Sequence, residues 1–382
     1  MDLDAPIKRH SSEPLYRQVV RYLRARIQDG TYPPRSALPS EKALTAQLQV
    51  SRPTIRHAVQ ILIEEGLAER VPGRGSFVTE ARPSSQRRRT GNVALIGPEM
   101  RDSFLMRLIT GAENVASQND YHLILCNAGN QIATEQKHLR DLWEGAKVDG
   151  FLIMAADAPQ PQPVFREFLR AGVPMVFVDR YFGDLGAPFV VSDNRRGGYL
   201  VTRHLIDLGH REIGFVTRPN LYVSSVAERF QGYKQALEEA GLAYDCCRVF
   251  QGLLPYMSEV QVLEKPSPRL AEYDKAAIYE FLLSERRGTA LLACNNVIAL
   301  QVIEVCQELG LRIPEDIALA AYDDAAVAPL VTPPLTTIRQ QNYEMGARAT
   351  ALLMDILNGK RVEQQVFLPV ELIVRQSCGV RR

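Results

Sequence analysis

Apolar residues recur four apart at Leu15, Val19, Leu23 and Ile27, the stripe of an amphipathic helix over residues 13–29 that Gly30 and Pro33-Pro34 bring to an end. Ser40 is a good N-cap for a second, short helix carrying Leu44 and Leu48 on one face. Ser51 caps a third. Its first turn tolerates Pro53, its apolar face is Ile55, Val59, Leu62 and Ile63, and Gly66 is its natural stop. Two strand-like runs follow, Leu67–Val71 and Ser76–Thr79, around the tight turn Pro72-Gly73-Arg74-Gly75. Three helices followed by a β-hairpin predict a small α+β domain, a winged helix-turn-helix, over residues 1–80.

Residues 81–91, ARPSSQRRRTG, lack periodic apolar positions and read as a linker. From Asn92 the pattern changes. Short apolar runs (Val93–Ile96, His122–Cys126, Gly150–Met154, Met175–Asp179, Phe189–Asp193, Ile213–Thr217, Thr289–Cys294, Ile317–Tyr322, Val366–Val374) alternate with helix-length stretches. The latter include Phe104–Asn119, Arg195–Leu208, Ala227–Ala240, Lys275–Glu285, Val297–Leu309 and Tyr343–Leu357. Alternation of this kind predicts an α/β fold with doubly wound parallel sheets. Residues 92–382 are more than one such core ordinarily needs, so two lobes are expected.

Charge sharpens the division. The 382 residues hold 45 Lys+Arg and 44 Asp+Glu, but residues 1–89 hold 16 and 9, net +7, and the remainder 29 and 35, net −6. A basic head on an acidic body fits a head that meets a polyanion. A hydrophobic content of 46% with 23% charged residues is globular. No stretch nears the ~18 apolar residues of a membrane span. The start, Met1-Asp2-Leu3-Asp4-Ala5-Pro6, lacks the positive charge and apolar run of a signal peptide, so a cytoplasmic protein is expected and a transport binding protein is not. Six cysteines without a CxxC motif read as reduced thiols. His10, His57, His122, His138, His204 and His210 lack metal spacing. No Gly-x-Ser-x-Gly, P-loop or His-Glu-x-x-His occurs, and neither enzyme activity, cofactor nor metal is expected.

Ser51, Arg52, Thr54 and Arg56 crowd the start of the third helix, opposite its apolar stripe. In a helix-turn-helix that end enters the major groove, where arginine forks onto guanine and hydroxyls reach phosphates or base edges. Arg74, between two glycines at the wing tip, can approach the minor groove or backbone, and Lys42 is placed for a phosphate. Two arginines on a helix are by themselves only a solvated face; charge excess, capped helices and a Gly-Arg-Gly wing together point to DNA. The segment "PLYRQVVRYLRARIQDGTY…LPSEKALTAQLQVSRPTIRHAVQILIEEGLAERVPGRGSFV" resembles the GntR family of winged-helix DNA-binding domains over residues 13–78. The resemblance implies DNA contacts at Lys42, Ser51, Arg52, Thr54, Arg56, Arg74 and Gly75. Lys42 stands where the family commonly has Arg, which favours a phosphate contact over bidentate base reading.

In doubly wound folds ligands sit at the carboxyl ends of the strands. Polar pairs stand there: Asp179-Arg180, Asp193-Asn194, Asn295-Asn296 and Asp323-Asp324. Acids, amides and a guanidinium facing one cleft suit a polyhydroxylated ligand, whose hydroxyls both donate and accept. Phe104, Tyr181 or Phe182 could cover an apolar sugar face. The plain alternative, a turn or helix cap, is at least as good for Asp193, Asn194 and Asp324. Trp143 reads as helix–sheet packing.

"VDGFLIM", "GVPMVFVDR", "VVSDNRRGGYLVTRHLIDLGHREIGFV", "ERFQGYKQAL", "PPLTTIRQ…MGARATALLMDIL" and "LPVELIVRQS" resemble the LacI effector domain, itself similar to periplasmic sugar-binding proteins. That implies two Rossmann-like lobes with crossings near Pro188–Val191, Thr337–Gln340 and Val366–Pro369, and a small molecule between them. Implied ligand contacts are Asp179, Arg180, Arg229, Asn295 and Asp323, with Phe104 and Asn296 beside them. Asn296 replaces the family's usual Asp and removes one acceptor. Residues 242–272 match poorly and read as a variable loop and strand segment. The pairing of the two modules resembles the arabinose-repressor type of regulator. It implies a sugar-responsive homodimeric repressor that binds double-stranded operator DNA and takes a monosaccharide, L-arabinose or similar. The alternative is an enzyme with a regulatory head, of the aminotransferase-like kind also found fused to GntR-type heads.

Overall fold

The computed structural model describes Ile7 and residues 14–64, 67–71, 74–79, 89–100, 103–255 and 268–379. The first six residues, Gly66, the turn residues Pro72 and Gly73, linker residues 81–88 and the stretch 256–267 lie outside the described residues. The chain divides into two compact units, Met1–Arg89 and Thr90–Arg382.

In the first unit α1 (Leu15–Gln28), α2 (Glu41–Leu48) and α3 (Arg52–Glu64) precede β1 (Ala68–Val71) and β2 (Gly75–Val78). The helical stripes meet in one core, with Leu23, Leu44, Ile55 and Leu62 wholly buried. Ser40 Oγ accepts from the Ala43 amide at 3.2 Å and Ser51 Oγ from the Thr54 amide at 3.4 Å, so both predicted caps are made. α2 ends on Gln49 in left-handed backbone, φ 52°, which turns the chain into α3. Val71 pairs with Gly75, so Gly75 opens β2 rather than closing the turn. Its φ of 107° is one that only glycine adopts at low cost.

The second unit has two lobes. Lobe 1 contains β3 (Asn92–Gly97), α4 (Ser103–Gln118), β4 (His122–Asn127), α5 (Ile132–Glu144), β5 (Gly150–Ile153), α6 (Pro163–Arg170), β6 (Met175–Val178) and β7 (Phe189–Ser192). Lobe 2 contains α7 (Asn194–Asp207), β8 (Ile213–Val216), α8 (Ser224–Glu239), β9 (Val249–Phe250), α9 (Pro268–Leu283), β10 (Ala290–Ala293), α10 (Asn296–Leu309), β11 (Ala318–Tyr322) and β12 (Thr336–Arg339). The chain then returns to lobe 1 for α11 (Asn342–Leu357) and β13 (Gln365–Leu368), and ends in lobe 2 with β14 (Glu371–Ile373).

The two six-stranded sheets run β13-β7-β6-β5-β3-β4 and β14-β12-β11-β10-β8-β9. All their pairings are parallel except β12 with β14. The strands are continuous apolar runs because both faces are covered: Val93 and Leu95 enter one core of lobe 1, Ala94 and Ile96 the other. The chain passes between lobes at Asp193, at Gln340-Gln341 and at Pro369-Val370.

Several expected elements need correction. The run Val366–Val374 is two strands in different sheets, because Pro369 has no N–H to continue a ladder. Residues 189–191 lie wholly within β7, and the first crossing follows them. The helix expected at Lys275–Glu285 begins at Pro268, since proline is tolerated in a first turn. Trp143 packs against Phe151 and Phe168, with ring centroids 6.3 and 6.4 Å away. All six cysteines are free. Among the described residues no helix is long and apolar enough to cross a membrane.

Candidate functional site

Each unit carries its own set of candidate residues. In the first, Ser51 caps α3 while its hydroxyl also pairs with that of Thr54 at 2.7 Å. Arg52 and Arg56 are exposed on the same helix, and Lys42 is exposed at the start of α2. Arg56 does not wave free: it donates to both oxygens of Glu41, at 3.4 and 3.2 Å, and Arg70 of β1 reaches Glu41 at 3.2 Å. The bond from Arg56 holds the Glu41 carboxyl below its usual range. Glu41, which the sequence reading passed over, thus ties α2, α3 and the wing strand together and occupies the Arg56 fork. Arg74 sits over the Phe77 ring, 5.5 Å from its centroid, with Gly75 beside it.

In the second unit a cleft of about 120 Å³ opens between the lobes at the carboxyl ends of the strands. Lobe 1 contributes Pro98 and Glu99 after β3, Phe104 and Leu105 of α4, Met154 and Asp157 after β5, and Asp179 and Arg180 after β6. Lobe 2 contributes Arg218 and Asn220 after β8, Ser225, Val226 and Arg229 of α8, Asn295, Asn296 and Val297 at the start of α10, and Asp323 after β11. Phe104, Asp179, Arg180, Arg229, Asn295, Asn296 and Asp323 are thereby brought to one cavity, from positions more than two hundred residues apart.

Arg229 is the centre of the lobe 2 wall. It donates to Asn194 Oδ1 at 2.8 Å and to the Cys294 carbonyl at 2.9 Å, lies 3.8 Å from Asp323, and stands 3.8 Å above the Tyr322 ring. Burial, the largest single influence, works against its charge, but Asp323, Cys294, Tyr322 and Asp179 together outweigh it and hold its pKa above the ordinary value. Its depth follows from helix packing: a Cβ on Gly198 would stand 2.1 Å from the Arg229 carbonyl oxygen, and one on Gly232 2.0 Å from that of Arg195. Those glycines let α7 and α8 touch backbone to backbone.

Arg180 organises the facing wall. It donates to Asp157 and, at 3.1 Å, to Asp179. Asp157 also accepts from Asn220 of the other lobe at 3.1 Å. Two more bonds cross between the lobes: the Tyr181 amide to Ser224 Oγ at 2.8 Å, and the Tyr181 hydroxyl to Glu228 at 2.6 Å.

Some expected roles fall elsewhere. Tyr181 does not line the cavity; it stacks on Phe189, centroids 4.1 Å apart. Phe182 packs into the lobe 1 core against Phe165 and Phe177. Asn295 combines a place in the cleft with capping, since its side chain accepts from the Ile298 amide at 2.9 Å. Asp193 caps α7 through the Arg196 amide, and Asn194 supports Arg229. Asp324 is no cap: it receives Thr337, Arg339 and Arg375, which together outweigh burial and hold its carboxyl below the usual range.

Asp157, Arg218, Asn220, Ser225 and Glu99 were missed by the sequence reading. Arg218 directly follows the run Ile213–Thr217, so the rule that found Asp179 would have found it. Asp157 lies three residues beyond its run, where no such rule reaches. Among the described residues one group could offer three ligand atoms to a metal, Asp245, Cys246 and Cys247, within 4.8 Å of one another and exposed; it does not line the cleft.

Comparison with known proteins places both units. Residues 15–78 match the model for bacterial regulatory proteins of the gntR family, and residues 202–378 that for a periplasmic binding protein-like domain, where the aminotransferase alternative would have needed another fold. The arabinose metabolism transcriptional repressor of Halalkalibacterium halodurans is 28% identical over 380 residues, covering 96% of this chain and 97% of that protein. The HTH-type transcriptional repressor PurR of Aliivibrio salmonicida is 30% identical over 289 residues, covering 75% and 81%. The crystal structure of a LacI family transcriptional regulator from Enterococcus faecium, with bound ribose, superposes with a TM-score of 0.63 at 26% identity, covering 76% of this chain and 99% of that one. The chain belongs to the family of bacterial helix-turn-helix transcriptional repressors built from a DNA-binding head and a periplasmic binding protein-like effector domain, here with a head of the gntR family.

Proposed function

We propose that this protein is a cytoplasmic, homodimeric repressor of carbohydrate-utilisation genes, released from its operator by a monosaccharide bound between the lobes of residues 92–382. The observation that carries the reading is the composition and size of the cleft. Its walls offer carboxylates, amides and guanidinium groups in the mixture that sugar hydroxyls satisfy. The cavity of about 120 Å³ is a small-molecule space between the two walls. The relative named for arabinose metabolism and the ribose-bound structure make a pentose, L-arabinose first, the favoured effector.

Asp179, Arg180, Asn295 and Asp323 hold hydroxyls in this reading, Arg229 and Asn296 complete the lobe 2 wall, and Phe104 covers an apolar ring face. On the DNA side Arg52 reads bases and Arg56 does so once its fork leaves Glu41; Arg74 and Gly75 approach the minor groove, and Ser51, Thr54 and Lys42 meet phosphates. The sugar acts by preferring one lobe arrangement, which alters the spacing of the two heads; its effect is bounded by its differential affinity for the two states. No chemical step is assigned to the chain.

A thermal-shift panel of pentoses and hexoses tests the sensor. At ~100 Kd a ligand adds about 2.7 kcal/mol to the domain that binds it. The expected result is a shift with one or few sugars, and loss of operator binding at the same concentrations. A flat panel overturns the reading.

A further inference from the structure

We propose that Asp157 sets the charge specificity of the cleft: by occupying Arg180 it restricts the site to uncharged polyhydroxylated ligands and turns away sugar acids and sugar phosphates. The inference rests on the sugar-sensor reading and narrows it. A guanidinium in a small cleft is ordinarily the group that captures a carboxylate or phosphate, because its planar fork meets two oxygens at once. Here the guanidiniums that line the cleft each face a carboxylate of the same chain. Arg229 has Asp323, and Arg218 donates to the wholly buried Asp274 at 3.0 Å. Arg180 has two acids, Asp179 and Asp157.

Asp157 differs from the other acids in where it comes from and what it spans. Asp179 and Asp323 end strands of the central sheets, whereas Asp157 stands in the loop between β5 and α6, with its side chain 8% exposed. One oxygen takes Arg180 and the other accepts from Asn220 across the cleft at 3.1 Å. An anionic ligand that sought Arg180 would have to displace Asp157 and leave a buried carboxylate without its cation, which is costly. An uncharged sugar avoids that cost. Its hydroxyls donate to Asp157 and Asp179 and accept from Asn220 while the ion pair stays whole.

The test compares D-galactose with D-galacturonate, the same ring with its hydroxymethyl group oxidised to a carboxylate, by calorimetry on the full chain. L-Arabinose, the ring without that arm, and the pair D-ribose and D-ribose 5-phosphate serve a site that takes only pentoses. Wild type should bind the neutral member at least about tenfold more tightly than the anionic one, the scale of one charge-assisted hydrogen bond. Asp157→Asn should narrow that preference by about tenfold or more. Adding Arg180→Gln should remove the gain. Asp157→Ser does the same work if the amide variant unfolds, which its thermal transition reveals. Wild type that takes the anion as readily as the neutral sugar, or an Asp157 variant without a gain, overturns the inference and leaves the sensor reading intact. Binding of no sugar, neutral or charged, by any of the proteins overturns both.

Discussion

Asp179 and Asp323 hold equivalent places in the two lobes. Each directly follows a strand, β6 or β11, that is third in from the edge where β13 or β14 lies. Each has left-handed backbone, φ 65° and 74°, and each turns a carboxylate into the cleft beside an arginine, Arg180 at 3.1 Å and Arg229 at 3.8 Å. Such backbone costs a non-glycine residue of order 1–3 kcal/mol and persists where surroundings hold it. The Asp179 amide donates to the Val190 carbonyl at 3.1 Å, and Gln340, at the second crossing, donates to Asp323. Asn tolerates this backbone about as well as Asp. Asp323→Asn should therefore keep the fold and lose the charge, weakening sugar binding by about 10–100-fold, the worth of a hydrogen bond to a charged group. Calorimetry checks it, and an unchanged affinity would take Asp323 out of the ligand site.

The head should separate into residues that read sequence and residues that supply charge. Arg52→Ala should cost about 1–3 kcal/mol on the operator and relax discrimination at one base pair, while Lys42→Ala should weaken all DNA alike and lower the salt slope by about 1. Glu41→Ala should free the Arg56 fork and raise affinity for unrelated DNA. Anisotropy titrations at several salt concentrations distinguish these. Equal losses on operator and scrambled DNA for Arg52→Ala would remove it from base reading.

Gly232→Ala tests how Arg229 is seated. Alanine ordinarily favours a helix over glycine by about 1 kcal/mol. Here its methyl group would meet the Arg195 carbonyl oxygen at 2.0 Å, a backbone atom that cannot swing aside. Overpacking should prevail, with a net loss of roughly 1–3 kcal/mol in urea unfolding. The same variant should weaken sugar binding, because moving α8 moves Arg229. A stable variant with wild-type affinity would show that the helices yield.

The sequence carried what local chemistry decides. Serine caps, four-residue stripes and apolar runs marked most elements, and strand-ending polar residues converged on the cleft as doubly wound topology requires. What it did not carry depends on partners distant in the chain. Tyr181 and Phe182 are neighbours of Arg180 with the same credentials for a sugar face, yet one is drawn off by Phe189 and Glu228 and the other by Phe165 and Phe177. Asp324 resembles its neighbour Asp323 until Arg339 and Arg375 arrive from the hinge strands and the tail. Asp157 acquires its role only from Arg180 and Asn220.

A pH dependence should follow from Glu135, a wholly buried residue of α5 that uses one oxygen to accept from the Ala156 amide at 2.8 Å and the other from the Gln162 side chain. Burial pushes its pKa up to about 7, against opposing pulls from those two donors and from Arg180. An acid whose folded pKa lies above its unfolded value of 4.5 binds more protons when folded, so its effect on stability is most favourable below about pH 4.5 and is lost as pH rises through 7. The whole swing is roughly 3 kcal/mol. The neighbouring amide suits the protonated form: Gln162 Oε1 is buried without a hydrogen-bond partner among the described residues and, with the amide turned over, would accept from a protonated Glu135. Because Ala156 precedes Asp157, the same titration should reach the cleft, with sugar affinity falling over the same interval. Glu135→Gln, which carries the donor permanently, should flatten both curves. Burial lowers the pKa of His204 and His210, whose contributions rise with pH over the same range, so the difference between wild type and the Gln variant from pH 5 to 8 decides it: a Gln variant that follows the wild-type curves of stability and sugar affinity would assign the dependence elsewhere.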